Sequence, residues 1–136
     1  MTMSNSEAGS RGWRGLITAM LLVAAVIHLL PLVGVLGADR LASLYGLSFA
    51  EPSLLILMRH RAVLFGILGV FLIYAAFRPA AHSAAFIAGF SSVLSFLALA
   101  WTTSGYNESV GRVVTADIVA LGCLVIGSVA YRLNRR

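Results

Sequence analysis

Four apolar runs of membrane-crossing length leave this chain little choice of architecture. They cover 15–36, 52–77, 81–104 and 108–131, and each exceeds the about 20 residues that an α-helix needs to cross a hydrocarbon core. The 136 residues are 60% hydrophobic and 11% charged, with a mean hydropathy of +0.93. One soluble domain cannot bury that much apolar surface. In lipid the backbone must satisfy its own hydrogen bonds, so runs of this length read as helices. The expected fold is all-α: a polytopic membrane protein, an antiparallel four-transmembrane-helix bundle with a short interfacial helix between spans one and two.

The punctuation between runs supports this division. Residues 1–11 are polar and Ser/Gly-rich, which predicts a disordered cytoplasmic N-terminus ahead of a single domain over 12–136. Arg11 and Arg14 flank Trp13 as a headgroup-level anchor. A cleaved signal peptide is not expected, because the first run is too long and His28 and Pro31 interrupt it. Gly37 ends that run, and 39–45 reads as the interfacial helix, capped by Asp39 and stopped by Gly46. Ser48 and Glu51 have capping-box spacing ahead of Pro52. Arg78-Pro79 breaks the second run, and Asn107 is a good cap for the fourth. The third run carries small residues at helical spacing (Ala84, Ala88, Ser91, Ser92, Ser95, Ala98, Thr102), a stripe suited to close helix approach.

Arginine sets the topology, since all ten basic residues are arginine. With four spans both termini share a side with the Arg78 turn. That side holds Arg11, Arg14, Arg78, Arg132, Arg135 and Arg136 against Glu7 alone. The other side is balanced: Arg40, Arg59, Arg61 and Arg112 against Asp39, Glu51, Glu108 and Asp117. The positive-inside rule therefore predicts both termini on the cytoplasmic side. Tyr74, Phe77 and Tyr131 fall near one interface, and Tyr45, Phe49, Trp101 and Tyr106 near the other, as aromatic belts do. Scattered arginines on membrane flanks do not describe a nucleic-acid surface.

Polar residues inside the spans point to function. At about 1.5 Å rise per residue, His28 lies roughly 12 Å below the outer end of span one. By the same rise Arg59, His60 and Arg61 lie roughly 10–14 Å into span two, Asp117 roughly 13 Å into span four, and Ser95 at a similar depth. One polar layer follows, a third of the way in from the outer face. Arg59 and Arg61 sit about 200° apart on a helix and cannot both face one point. Arg59 shares a face with Ala62, Gly66 and Gly69, the close-packing stripe, so it is the inward candidate with Asp117 as counter-ion. Arg61 or His60 then turns towards a neighbouring groove, or snorkels outward beside Glu51. The bland alternatives are a buried Arg–Asp pair that only fixes helix register and a satisfied core histidine at His28.

Several chemistries are absent from the pattern. No histidine pair has metal-helix spacing, no HExxH or carboxylate cluster occurs, and no metal site is expected. Cys123 is the one cysteine and lies in an apolar run, so no intramolecular disulfide, CxxC pair or cysteine zinc site is expected. A Ser95–His28–Asp117 triad is conceivable on depth alone.

The phrases His28-Leu29-Leu30-Pro31, Met58-Arg59-His60-Arg61-Ala62 and Arg112-Val113-Val114-Thr115-Ala116-Asp117 resemble small bacterial four-helix membrane proteins of the DoxX-like group. That resemblance implies a link to a quinone-reducing oxidoreductase but transfers no catalytic residue. Some relatives carry the label phosphopantetheine adenylyltransferase, which needs a Gly-His phosphate motif on an α/β fold; this sequence has neither. Three functions remain. The layer (Arg59, Asp117, His28, His60, Arg61, Ser95) binds a small amphipathic or anionic ligand: a lipid, quinone or isoprenoid. Alternatively the chain is a redox subunit, with quinone or a b-type haem between His28 and His60. Or it is a structural membrane subunit whose layer holds no ligand, pairing through its Gly/Ala/Ser stripes with a second copy or another membrane protein. Whether it is an enzyme is open, because a His–Asp–Arg group can also move protons.

Overall fold

The computed structural model describes the backbone of residues 2–136 and the side chains of residues 7–136. Over those residues it is all-α: α1 (Thr2–Leu29), α2 (Ala38–Tyr45), α3 (Pro52–Ala76), α4 (His82–Thr102) and α5 (Glu108–Asn134). Tighter 3₁₀ turns occupy Leu30–Leu36 and Pro79–Ala81, each with its proline near the start, where the missing N–H costs least. The spans formed by α1 with its 3₁₀ extension, by α3, by α4 with its preceding turn and by α5 are long and apolar enough to cross a membrane.

Side-chain distribution argues the same. Ile56, Ile67, Ile87 and Leu99 are 61–68% exposed, while the core is built largely from Ala24, Ala25, Ala75, Ala85 and Ala120 with a few leucines. A soluble bundle would do the reverse. Large apolar groups outward and small ones inward is the arrangement that hydrocarbon solvent favours. The chain is a multi-pass membrane protein.

Helix α1 is central, flanked by α3 and α5; α4 closes the bundle against α5 and touches α3 less. The α3 stripe Ala62–Gly66–Gly69 packs closely, and what it faces is the end of α1 with its 3₁₀ turn. A Cβ on Gly66 would lie 2.6 Å from Leu32 Cδ1, and one on Gly69 2.6 Å from Leu29 Cγ. At the end carrying the termini, Thr18 Oγ1 donates to the Ala76 carbonyl at 2.9 Å and ties α1 to α3. At the opposite end Leu41, Tyr45 and Phe49 form a second cluster with Met58 and Val113, docking α2 across the bundle.

Several local expectations are corrected. Residues 2–11 are helical rather than disordered, because propagating α1 outward costs far less than nucleating a helix; Met1 lies outside the described residues. Asp39 falls inside the first turn of α2, and Gly37 holds the capping position without a side-chain bond. Gly46 does stop α2, at φ 65, in the left-handed region that glycine enters without strain. Tyr45 and Phe49 turn into the bundle instead of joining the aromatic belt. The small-residue stripe of α4 faces outward except at the half-buried Ala88 and Ser92, since the packed face is His82, Phe86, Gly89 and Val93.

Glu51 is itself the cap of α3 rather than part of a Ser48 box. Its carboxylate accepts from Ser53 N at 2.9 Å and Leu54 N at 2.6 Å. Those bonds, Ser53 first, hold its pKa below the ordinary carboxylate value. A depressed folded-state pKa means the stabilisation is present above the unfolded value and fades as pH falls through the folded one. Glu51→Gln is therefore expected to speed amide exchange at Ser53 and Leu54 at neutral pH. The difference from wild type should shrink as the pH falls below the carboxylate range.

Candidate functional site

Inward polar groups gather at the end of the bundle away from the termini. Along α3 the spacing Arg61, Phe65, Leu68, Leu72 repeats every three to four residues, and Leu72 is fully buried. Arg61 thus continues the core-facing stripe into the outer third. Its Nη1 donates to Tyr45 Oη at 2.7 Å, and its guanidinium carbon lies 4.7 Å from the Phe65 ring centre and 5.4 Å from that of Tyr45. Held between two aromatic faces, the cation is partly desolvated and pinned. Most of its N–H donors remain free.

Asp117, on α5, is buried at 9% exposure. Among the described residues no hydrogen bond or ion pair reaches its carboxylate, and Arg61 is the cation that acts on it. An acceptor-only group with no partner at this depth is expensive unless something fills the space before it. That space exists. A cavity of about 270 Å³ is walled by Arg61, Asp117 and Arg112, with the His28 and Phe65 rings and α2 residues including Tyr45 completing it. Arg112 is steadied by Ser109 Oγ at 3.0 Å. An almost wholly apolar hollow of about 200 Å³ shares Arg61, Tyr45 and Val113 with it and extends to Leu47, Met58 and Phe96. A charged chamber and an apolar one therefore meet at the Arg61–Tyr45 pair.

His28 belongs to the wall of the charged chamber. Its Nδ1 lies 2.8 Å from the Ala24 carbonyl, which can only accept, so Nδ1 carries the proton and Nε2 accepts from Ser92 Oγ at 3.2 Å. Both ring nitrogens are engaged within the protein, and the ring stacks obliquely against Phe65 at 5.9 Å. It shapes the cavity and links α1 to α4.

The expected layer is thus only partly assembled. Arg61, Asp117 and His28 come together. Arg59 does not join them: it is exposed, and its Nε donates to the Val35 carbonyl at 2.8 Å, tying α3 to the 3₁₀ turn. Its face is the close-packing stripe, as the sequence implies, but that stripe meets the end of α1 rather than the bundle centre. His60 is exposed and lines neither chamber. A haem between His28 and His60 has no support in this geometry. Ser95 is exposed and bonds the Ser92 carbonyl one turn back at 2.9 Å, so no Ser95–His28–Asp117 triad forms. Among the described residues no three His, Cys, Asp or Glu side chains gather as metal ligands would.

Tyr45, Phe65 and Arg112 are the site residues that residue-by-residue depth reasoning misses. Tyr45 reads as an interfacial aromatic and Arg112 as an outer-face charge. The i, i+4, i+7, i+11 pattern from Arg61 is the signal that locates the true inward face. Asn107 fixes the roof: its Oδ1 accepts from Val110 N at 2.9 Å as the α5 cap, and its Nδ2 donates to the Tyr45 carbonyl at 2.8 Å. Asn107→Asp keeps the cap and loses the donor. It is expected to leave α5 intact while hydrogen exchange in α2 rises several-fold; Asn107→Ala should also free the Val110 amide.

No family model, curated protein or solved structure matches this chain.

Proposed function

We propose that this membrane protein binds a small amphiphile with an anionic or carbonyl head: a lipid, a quinone or an isoprenoid derivative. The head enters the charged chamber and the tail lies along the apolar hollow. Arg61 holds the head by charge-assisted hydrogen bonds, Tyr45 and Arg112 complete the donor set, and Asp117 accepts from a hydroxyl or acid proton of the ligand. The observation that carries this reading is the unpartnered Asp117 carboxylate in the wall of a roomy cavity beside Arg61. A pairing that only fixed helix register would bring the two charges into contact and leave no space.

The surrounding charge supports an orientation. Six arginines against Glu7 support a cytoplasmic terminus-bearing end, and the DoxX-like resemblance supports a bacterial inner membrane; in that orientation the crevice opens towards the outer leaflet. Membership of the DoxX-like group agrees with a quinone-type head and is part of this proposal.

Native mass spectrometry of protein released directly from membranes tests it, with wild type beside Ala116→Phe. Ala116 lines the cavity, and a phenyl ring there fills much of it. A defined amphiphile is expected on wild type and its loss on the filled variant. An adduct that survives in Ala116→Phe, or wild type carrying only bulk lipid, would overturn the reading.

A further inference from the structure

The other end of the bundle carries a second polar hollow, lined by Arg14 of α1, His82 of α4, Tyr131 and Asn134 of α5, and Arg135 just beyond it, with a volume of about 380 Å³. Two buried polar atoms in its lining residues, His82 Nε2 and Asn134 Oδ1, make no hydrogen bond of good geometry, although the Ala75 and Ala76 carbonyls lie near the His82 ring. His82 is only 5% exposed, its ring set edge-on to Tyr131 at 5.8 Å. Buried polar groups are nearly always paired, so two orphans in one hollow point to a missing partner. Two further features fix that partner's charge. Arg14 and Arg135 bring two cations to the hollow. The Tyr131 hydroxyl accepts from Arg135 Nη1 at 3.0 Å, leaving its own proton to donate.

We propose that this hollow binds a phosphate ester bearing free hydroxyls, the chemistry of a phosphoglycerol headgroup. The phosphate takes Arg14, Arg135 and the Tyr131 hydroxyl. Once the His82 ring and the Asn134 amide turn from their closed positions towards the hollow, a glycerol hydroxyl serves both as no purely anionic group does: its oxygen accepts from an Nε2–H and its proton goes to the Asn134 oxygen. The site lies at a bundle end rich in arginine, where basic pockets between membrane helices meet anionic lipid heads. It shares no residue with the crevice at the other end and stands independently of the function proposed for that crevice.

The chain has three histidines, so full-length protein labelled with ¹⁵N-histidine gives a readable ring spectrum, with His82→Gln assigning the reporter. Protein in detergent is titrated with phosphatidylglycerol, with phosphatidylcholine and with soluble glycerol 3-phosphate. Phosphatidylglycerol is expected to move the His82 ring resonance and leave His28 unchanged, with phosphatidylcholine having little effect. Arg14→Gln with Arg135→Gln, both exposed positions, should weaken that response by at least about tenfold while the His28 signal certifies an intact fold. A response to phosphatidylglycerol but not to glycerol 3-phosphate makes the ligand a membrane lipid. Comparable responses to both make it the soluble ester. No response to either phosphoglycerol, an equal response to phosphatidylcholine, or an undiminished response in the double variant overturns the proposal and leaves a water-filled hollow.

Discussion

Arg61→Gln is expected to cost the crevice at least tenfold in ligand retention, while Arg59→Gln costs it nothing. The two arginines are separated by one residue, yet they meet different partners: Arg61 lies between Tyr45 and Phe65 in the cavity wall, and Arg59 reaches the Val35 carbonyl outside it. Hydrogen bonds to a charged group contribute about 1.5–3 kcal/mol each, which corresponds to roughly ten- to a hundredfold in affinity. Glutamine keeps a donor near Tyr45 but not the charge or the planar fork. The same change removes the cation that acts on Asp117, so melting in detergent should also fall, by about 1–3 kcal/mol on the scale for a buried group left uncompensated. Adding Asp117→Asn should restore that stability without restoring the ligand. Arg59→Gln should do the converse, loosening the 3₁₀ turn with the ligand still bound. Ligand loss in Arg59→Gln with retention in Arg61→Gln would reverse the assignment of the inward face.

Gly69→Ala should be the most damaging single methyl in the bundle. Its Cβ would come within 2.6 and 2.7 Å of Leu29 atoms and 3.2 Å from the Ala25 carbonyl oxygen. Leu29 can shift, but the Ala25 oxygen is backbone inside α1 and cannot. Overpacking of this kind typically costs about 1–3 kcal/mol, against a gain of at most about 1 kcal/mol from replacing glycine in a helix. Gly122 is the control: nothing lies within 4 Å of its Cβ position. Gly122→Ala should melt at or above wild type, Gly69→Ala well below. Leu29→Ala should recover only part of the loss in Gly69→Ala, because the backbone contact persists. Equal melting of the two glycine variants would mean that α1 and α3 are not held at this distance.

The number of spans and their ends were legible in the sequence because they depend on local chemistry. Apolar length, Pro52, Asn107 and Gly46 each act within a few residues. The depth of Asp117, His28 and Arg61 was legible too, since rise per residue is fixed by the helix. Direction was harder. Two stripes run along α3, one of small residues and one through Phe65, Leu68 and Leu72, and each is a valid packing face. The small stripe suggested Arg59, but a close-packing stripe marks where a neighbour's backbone comes nearest, and here that neighbour is the end of α1. The bundle centre needs larger side chains to fill it, which is the stripe that Arg61 continues. In α4 the serine stripe misled for a related reason: in lipid, small residues on an outward face cost little, so their spacing does not by itself mark an interface.

The split of the outer crevice across the chain also has a consequence for how the protein is made. Its cation arrives on α3 and its carboxylate on α5, with α4 synthesised between them. An arginine near the middle of a helix opposes insertion by about 2.5–3.5 kcal/mol, and α3 carries two beside a histidine. When α3 first meets the bilayer it is a weakly committed helix whose charges must reach for the surface. Asp117 supplies the compensating charge only once translation has passed α5. An insertion assay on chains truncated before and after α5 is therefore expected to show α3 fully inserted only when α5 is present.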